Sequence, residues 1–272
     1  MRAKLTLTKK DLSIILACVA FLLMNIGAIG SGSRKRAKEL ICLSNLRQWG
    51  HIFSMYVEDN DGKFPSGVNR EGFWWIVQLE EQYQSYKQNP MWFCPKTKKP
   101  IIDENGVTTP SINIFNAWGI YSRHSYFRIC TDGISGSYGL NGYVLSTEPG
   151  TTFEGNRRTD DNWRTPNVKD ADKVPLFMEA LRFDLWPLMT DAPAYNEFVG
   201  WSGSNHMARC CINRHNGAIN SLFLDFSARK VGLKELWTLK WHRTFDTTGP
   251  WTIASGVQPT DWPSWMRNFK EF

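Results

Sequence analysis

The chain has 272 residues, with 32 basic and 26 acidic side chains, a formal charge of +6 and 42% hydrophobic residues, enough to bury a sizeable core. The basicity is local: without the first eleven residues and the cluster Arg34, Lys35, Arg36 and Lys38, 24 basic residues face 25 acidic ones. The remaining body carries no basic stripe, which argues against nucleic acid as a partner; flanking clusters of this kind belong among anionic headgroups.

The first predicted element is the uncharged run Leu12 to Ile29 (LSIILACVAFLLMNIGAI), 18 residues long. At about 1.5 Å per residue it reaches the lower limit for crossing roughly 30 Å of hydrocarbon as a helix. No other window is as long and apolar, so the expectation is one anchor and one body, with the membrane contacted through residues 12–29. Basic residues flank the run on both sides and leave orientation undetermined by charge. A competing reading is a cleaved signal peptide, with Ala28-Ile29-Gly30 ahead of Ser31 as the small-residue cleavage site.

From Arg34 to Glu58 the pattern is helical. Cys42, Leu46, Trp49, Phe53 and Tyr56 follow one another at spacings of 4, 3, 4 and 3, the apolar stripe of a helix with a core to cover. Asp59-Asn60-Asp61-Gly62 and then Pro65 end the helix; as calcium chemistry the segment lacks the closing Glu of an EF-hand. Gly27, Gly30, Ser31, Gly32 and Ser33 weaken the helix between the apolar and amphipathic halves, which either run on as one rod of about 48 residues or bend at this built-in hinge.

Short elements separated by turns follow. Gly72 to Tyr86 reads as a helix, MWFCPKTKKP (91–100) as a strand entering a turn, and GSYGLNGY (136–143) as irregular or hairpin structure. Val174 to Glu179 reads as a buried strand. Arg214-His215-Asn216-Gly217 followed by AINSLFLDFSARKVGL is the clearest β signal: turn, strand, tight turn near Asp225, returning strand. Lys234 to Thr244 reads as a short helix with Leu236, Trp237 and Trp241 on one face.

Six cysteines, Cys18, Cys42, Cys94, Cys130, Cys210 and Cys211, show neither a C-x-x-C pair nor zinc-type Cys/His spacing, so no metal ligands and no cofactor are assigned. Cys94 and Cys130, remote from the anchor and the doublet, are a candidate disulfide in an oxidising compartment; two buried thiols is the alternative. His206, His215, Glu179, Asp184 and Asp225 invite an acid/base or metal site, but a hairpin accounts for His215 and Asp225 as structural residues, the Asp capping its own turn. No nucleophile motif or phosphate-cradling loop is present, so no catalytic residues are assigned. Thirteen tryptophans are expected mainly to fill the core, with the Pro- and Gly-punctuated segment 249–272 as the candidate exposed aromatic patch.

RAKELICLSNLRQWGHIFSMYVEDNDGKFP behind an apolar helix, FCP at Phe93 to Pro95, SYGLNGY at Ser137 to Tyr143, and RHNGAINSLFLDF together resemble bacterial type II secretion pseudopilin-like proteins. Those proteins carry a prepilin-type N-terminal cleavage and methylation segment and a C-terminal H-x9-DG signature. His215 and Asp225 have the signature's spacing, with Phe226 where the family has Gly. Aligned on the apolar run, Thr6 stands where the family has the Gly that precedes the cut, Leu7 begins the cut product, and Asp11 falls at the family's Glu; Thr6, Leu7 and Asp11 are thus the processing and assembly candidates.

The resemblance implies a structural subunit, not an enzyme: a single-pass inner-membrane protein with its C-terminal body outside the cytoplasm, contacting other pseudopilin-like subunits or secretion components. The expected fold is α+β, a long N-terminal helix packed on a small antiparallel sheet with loop-rich insertions. Residues 1–33 form the anchor and 34–272 the exported domain. Two alternatives stay open: an anchored protein that binds a glycan or a partner without polymerising, and a metal-dependent hydrolase built around His215.

Overall fold

The computed structural model describes residues 8–67, 74–79, 89–98, 100–101, 113–121, 134–153, 157–199 and 204–272; within the first helix the side chains of 25–29 and 31 are not described. The chain is a mixed α+β protein.

Helix α1 runs unbroken over Lys9–Asp59, 51 residues, or about 76 Å at 1.5 Å per residue. It starts in a capping box: the Asp11 backbone N–H donates to Thr8 Oγ1 at 3.2 Å, and the Thr8 N–H donates to Asp11 Oδ2 at 2.9 Å. Of the two expectations for the junction the continuous rod is the one seen, the backbone being helical across Gly30 to Ser33. Each glycine weakens the helix by up to about 1 kcal/mol, which long flanking segments offset because extension is cheaper than nucleation. The helix ends at Asn60, and Asp61 and Gly62 take left-handed backbone with φ of 53° and 74°.

The two halves of α1 differ. In the first, Leu12, Ile14, Ile15, Leu16, Val19, Phe21, Leu22, Leu23 and Met24 are all exposed. Among the described residues no helix is long and apolar enough to cross a membrane; of the run Leu12 to Ile29, the side chains described are those up to Met24. In the second half Cys42, Leu46, Trp49 and Phe53 are wholly buried and Tyr56 nearly so. This face lies on strands β8 (Ala218–Phe223) and β9 (Ala228–Gly232) and on the 3-10 turn Pro90–Trp92.

The remaining elements are a short helix α2 (Trp75–Gln78), a two-stranded pair β1 (Trp118–Tyr121) and β2 (Ile134–Gly136), and β3 (Tyr138–Asn141). A small hairpin β4 (Thr152–Phe153) and β5 (Arg157–Arg158) follows, then β6 (Pro175–Glu179), β7 (Asp184–Leu185), the one-turn α3 (Met207–Cys210), β8 (Ala218–Phe223) and β9 (Ala228–Gly232). The main sheet has the order β7-β3-β6-β8-β9. Every residue of β3, β6 and β8 is buried, as in strands covered on both faces.

The structure departs from expectation in three places. The sheet is not wholly antiparallel, because β7 pairs parallel with β3. The chain leaves β6, crosses β3 and returns on its far side; a Cβ on Gly139 would stand 2.3 Å from the Arg182 carbonyl oxygen, so glycine permits the crossing. SYGLNGY is accordingly a sheet strand followed by a 3-10 turn, and residues 90–92 form a 3-10 turn instead of a strand, opened by Asn89 capping the Met91 N–H at 3.1 Å. The helix expected over Gly72 to Tyr86 is described only at residues 74–79, where Trp75–Gln78 is helical, and the rest of it lies outside the described residues.

The C-terminal aromatic patch is also not exposed. Trp262 is buried, Trp251 and Trp265 pack half-buried against the core, and Trp237, Trp251 and Trp262 stack with centroids 5.3 to 6.2 Å apart. Buried Lys234 lies 4.9 Å from the Trp262 ring centroid and pairs with Glu271. The rings find partners that a surface patch would lack: Trp265 Nε1 donates to Ala194 O at 2.9 Å and Trp237 Nε1 to Asp191 O at 2.8 Å.

Candidate metal centre

Four chain segments meet beneath α1. Cys42 comes from the buried helix stripe, Cys94 from the end of the Pro90–Trp92 turn, Glu179 from the last position of β6, and His215 from the turn that leads into β8. One ligand-type atom from each lies within 4.8 Å of the others, and all four residues are buried. His215 Nε2 is 3.0 Å from Glu179 Oε2 and 3.6 Å from Cys94 Sγ.

The surroundings fix each group. The Tyr138 hydroxyl donates to Cys42 Sγ at 3.2 Å, and the Asn220 backbone N–H donates to Glu179 Oε2 at 2.9 Å. The Cys94 N–H donates to Ser137 Oγ at 2.5 Å. Arg214 is wholly buried and donates to the carbonyls of Ile114, Asn116 and Ser137 at 2.6 to 2.9 Å. Its Nη1 lies 3.9 Å from Glu179 Oε1, placing a fixed positive charge beside the cluster.

Two buried atoms here, Glu179 Oε1 and His215 Nδ1, have no hydrogen-bond partner among the described residues. Leaving a buried polar atom unpaired costs about 1–3 kcal/mol, and more for a charged group.

The electrostatics follow from burial and neighbours. Burial pushes the Glu179 carboxyl up, but the charge and hydrogen bond of His215 and the charge of Arg214 outweigh it and hold the group at about 2. Burial pushes His215 down, while Glu179 and the contact with Cys94 raise it to about 9. Burial raises the Cys42 thiol far above its ordinary value, with Cys94 and Glu179 adding to the rise. For Cys94, burial is outweighed by hydrogen bonds with Cys42 and His215 and by the Arg214 charge, and the thiol is lowered. The cluster therefore holds an ion pair with one thiol predisposed to ionise.

The other sequence-selected residues lie elsewhere. Asp225 is exposed in the β8–β9 turn, where its Oδ1 accepts the Ser227 N–H at 3.0 Å, and Phe226 behind it has φ 61°. Asp184 and His206 belong to a second buried polar group around Trp186, whose Nε1 donates to Asp184 Oδ2 and whose backbone N–H donates to His206 Nδ1, both at 3.0 Å. Arg182 Nε approaches Asp184 Oδ1 at 3.0 Å. Asp11 caps its helix, while Thr6 and Leu7 lie outside the described residues. Cys94 is a free thiol directed at Cys42 and His215, and its expected partner Cys130 lies outside the described residues.

Sequence reasoning grouped Glu179 with His215 but gave Cys42 only a packing role and Cys94 a different partner. No local motif marks the quartet, because its members are separated by steps of 52, 85 and 36 residues along the chain. No family model, curated protein or solved structure matches this chain.

Proposed function

We propose that this chain is a membrane-anchored, pseudopilin-like structural subunit of a bacterial type II secretion or surface assembly. It spans the inner membrane once through residues 12–29, holds its body outside the cytoplasm, and acts through helix packing and protein contacts without catalysis. The observation that carries the reading is the division of α1: one continuous helix buries its second half on a sheet while its first half presents apolar side chains, Leu12 to Met24, on every side. A helix that is apolar all round needs lipid or other helices around it. The glycan-binding alternative is weakened by the core positions of the tryptophans it would use.

Cys18 offers a direct test, being exposed on the apolar half whereas Cys42, Cys94, Cys210 and Cys211 are buried. In native membranes, mild oxidation is expected to give Cys18-linked dimers that Cys18→Ser abolishes, and carbonate washing is expected to leave the chain in the pellet. A chain that stays monomeric under oxidation, or that carbonate releases, contradicts the proposal.

A further inference from the structure

We propose that Cys42, Cys94, Glu179 and His215 form a structural site for one divalent transition-metal ion of the zinc class. The inference concerns the body alone and stands independently of the assembly reading.

The donor set is the first argument. Two sulfurs, an imidazole nitrogen and a carboxylate oxygen are ligand types that zinc takes in closed four-coordinate sites. Metal–sulfur bonds of about 2.3 Å and metal–nitrogen or oxygen bonds of about 2.0 Å at tetrahedral angles give ligand-to-ligand edges of roughly 3.3 to 3.8 Å. Of the contacts made by His215 Nε2, the one of 3.6 Å falls within that range and the one of 3.0 Å is about 0.3 Å short of it, while the widest pair, within 4.8 Å, must close by about 1 Å.

Charge is the second argument. Two thiolates, a carboxylate and a neutral imidazole around a dication leave a net charge of about −1, and Arg214 is held against Glu179 to meet it. Glu179 Oε1 has no hydrogen-bond partner among the described residues, and an ion bound through the carboxylate offsets the cost of burying it. The third argument is the outer sphere: the Tyr138 hydroxyl on Cys42 and the Asn220 amide on Glu179 orient two of the ligands, as second-layer partners do in metal sites.

Access points the same way. A groove of about 670 Å³, lined by Lys35, Arg36, Lys96 and Lys230 among others, reaches His215. The groove also holds Glu39, 3.1 Å from Lys230, and gives an ion a path toward His215 in the folded chain.

The test uses the full chain in detergent, purified reduced and metal-free, then equilibrated with Zn²⁺ or Co²⁺. The expected result is about one ion per chain, with thiolate-to-cobalt charge transfer and tetrahedral cobalt bands. Cys94→Ser and His215→Ala should each weaken binding by at least the ~10–100-fold that outer-sphere losses cost. Cys211→Ser should bind as the parent does, since its sulfur contacts Met266 and lies outside the quartet. Should the ligand variants fail to fold, the cobalt spectrum of the parent chain still reports whether two thiolates bind. A reduced, folded parent that takes up no ion, uptake that survives both ligand variants, a cobalt spectrum without thiolate bands, or recovery of Cys42 and Cys94 as a disulfide in the native protein overturns the proposal.

Discussion

Trp49 Nε1 donates to the Met91 carbonyl oxygen at 3.2 Å, joining the buried half of α1 to the turn that carries Cys94. The Trp49 ring also meets Trp92 edge-on at 4.5 Å and lies 5.1 Å from Phe177 of β6. One side chain thus holds helix, turn and sheet together.

Replacing Trp49 with Ala should destabilise the folded chain by about 3–5 kcal/mol, the range for aromatic truncation in a core. Denaturant unfolding of the detergent-solubilised protein measures it. A midpoint unchanged from the parent would show that the stripe is not what secures the helix to the body.

The second buried polar group predicts an acid-side loss of stability. Burial and the charges of Arg209, Arg157 and Arg182 hold His206 at about 2, and its Nδ1 accepts from the Trp186 N–H and faces Arg209 Nη1 at 3.1 Å. An unfolded histidine titrates near 6.5, so below that pH the unfolded chain takes a proton that the folded chain refuses. Stability is therefore full above about 6.5 and falls with acid, by up to about 1.4 kcal/mol per pH unit. His206→Asn keeps an acceptor in place of Nδ1 and should flatten the slope between pH 6.5 and 5 while lowering stability overall. Equal slopes in parent and variant would reject His206 as the source.

Gly142 follows β3 directly beneath the Trp186 ring, and a Cβ there would stand 2.1 Å from that ring. Gly142→Ala must displace a buried tryptophan that Asp184 and Tyr143 also hold. The expected cost is about 3 kcal/mol, at the upper end for overpacking. Gly150→Ala, placed in open space but with φ 79°, should cost only the smaller backbone penalty, about 1 kcal/mol. Melting curves that rank the two the other way would contradict the packing argument.

The N-terminus should remain uncut. On the proposed pseudopilin-like reading Thr6 stands where the family has the glycine that precedes cleavage, and the helix begins with its own capping box at Thr8 and Asp11. Intact mass of membrane-extracted protein should account for the residues ahead of Leu7. A methylated species starting at Leu7, or a soluble one starting at Ser31, would show processing after all.

Much of this fold is legible locally. The 4-3-4-3 spacing from Cys42 to Tyr56 describes a helix face, and α1 buries that face; Asn216-Gly217 and Asp225 mark the two ends of β8. The crossing over Gly139 is not legible, because a glycine reads as a loop until the strand that passes over it is known. The C-terminal tryptophans mislead for a related reason. Irregular backbone suggests exposure, yet these rings bury themselves against a core built by distant segments. The metal quartet is the extreme case: each member has an ordinary local role, and only the sheet order brings Cys42, Cys94, Glu179 and His215 together.

Gly50 sits where α1 crosses the β8–β9 turn. A Cβ at that position would lie 3.0 Å from Leu222 Cδ1 and 3.2 Å from the Phe226 carbonyl oxygen. The turn occupies a notch in the helix, and sliding α1 by one turn, about 5.4 Å, would bring Leu46 or Ser54 in place of the glycine. A side chain there would press on Leu222 and on the Phe226 carbonyl, so the glycine favours the present longitudinal position of the helix on the sheet. A pull along the half that carries Leu12 to Met24 would then load the joint at Gly50 as shear, because α1 is one continuous helix from Lys9 to Asp59.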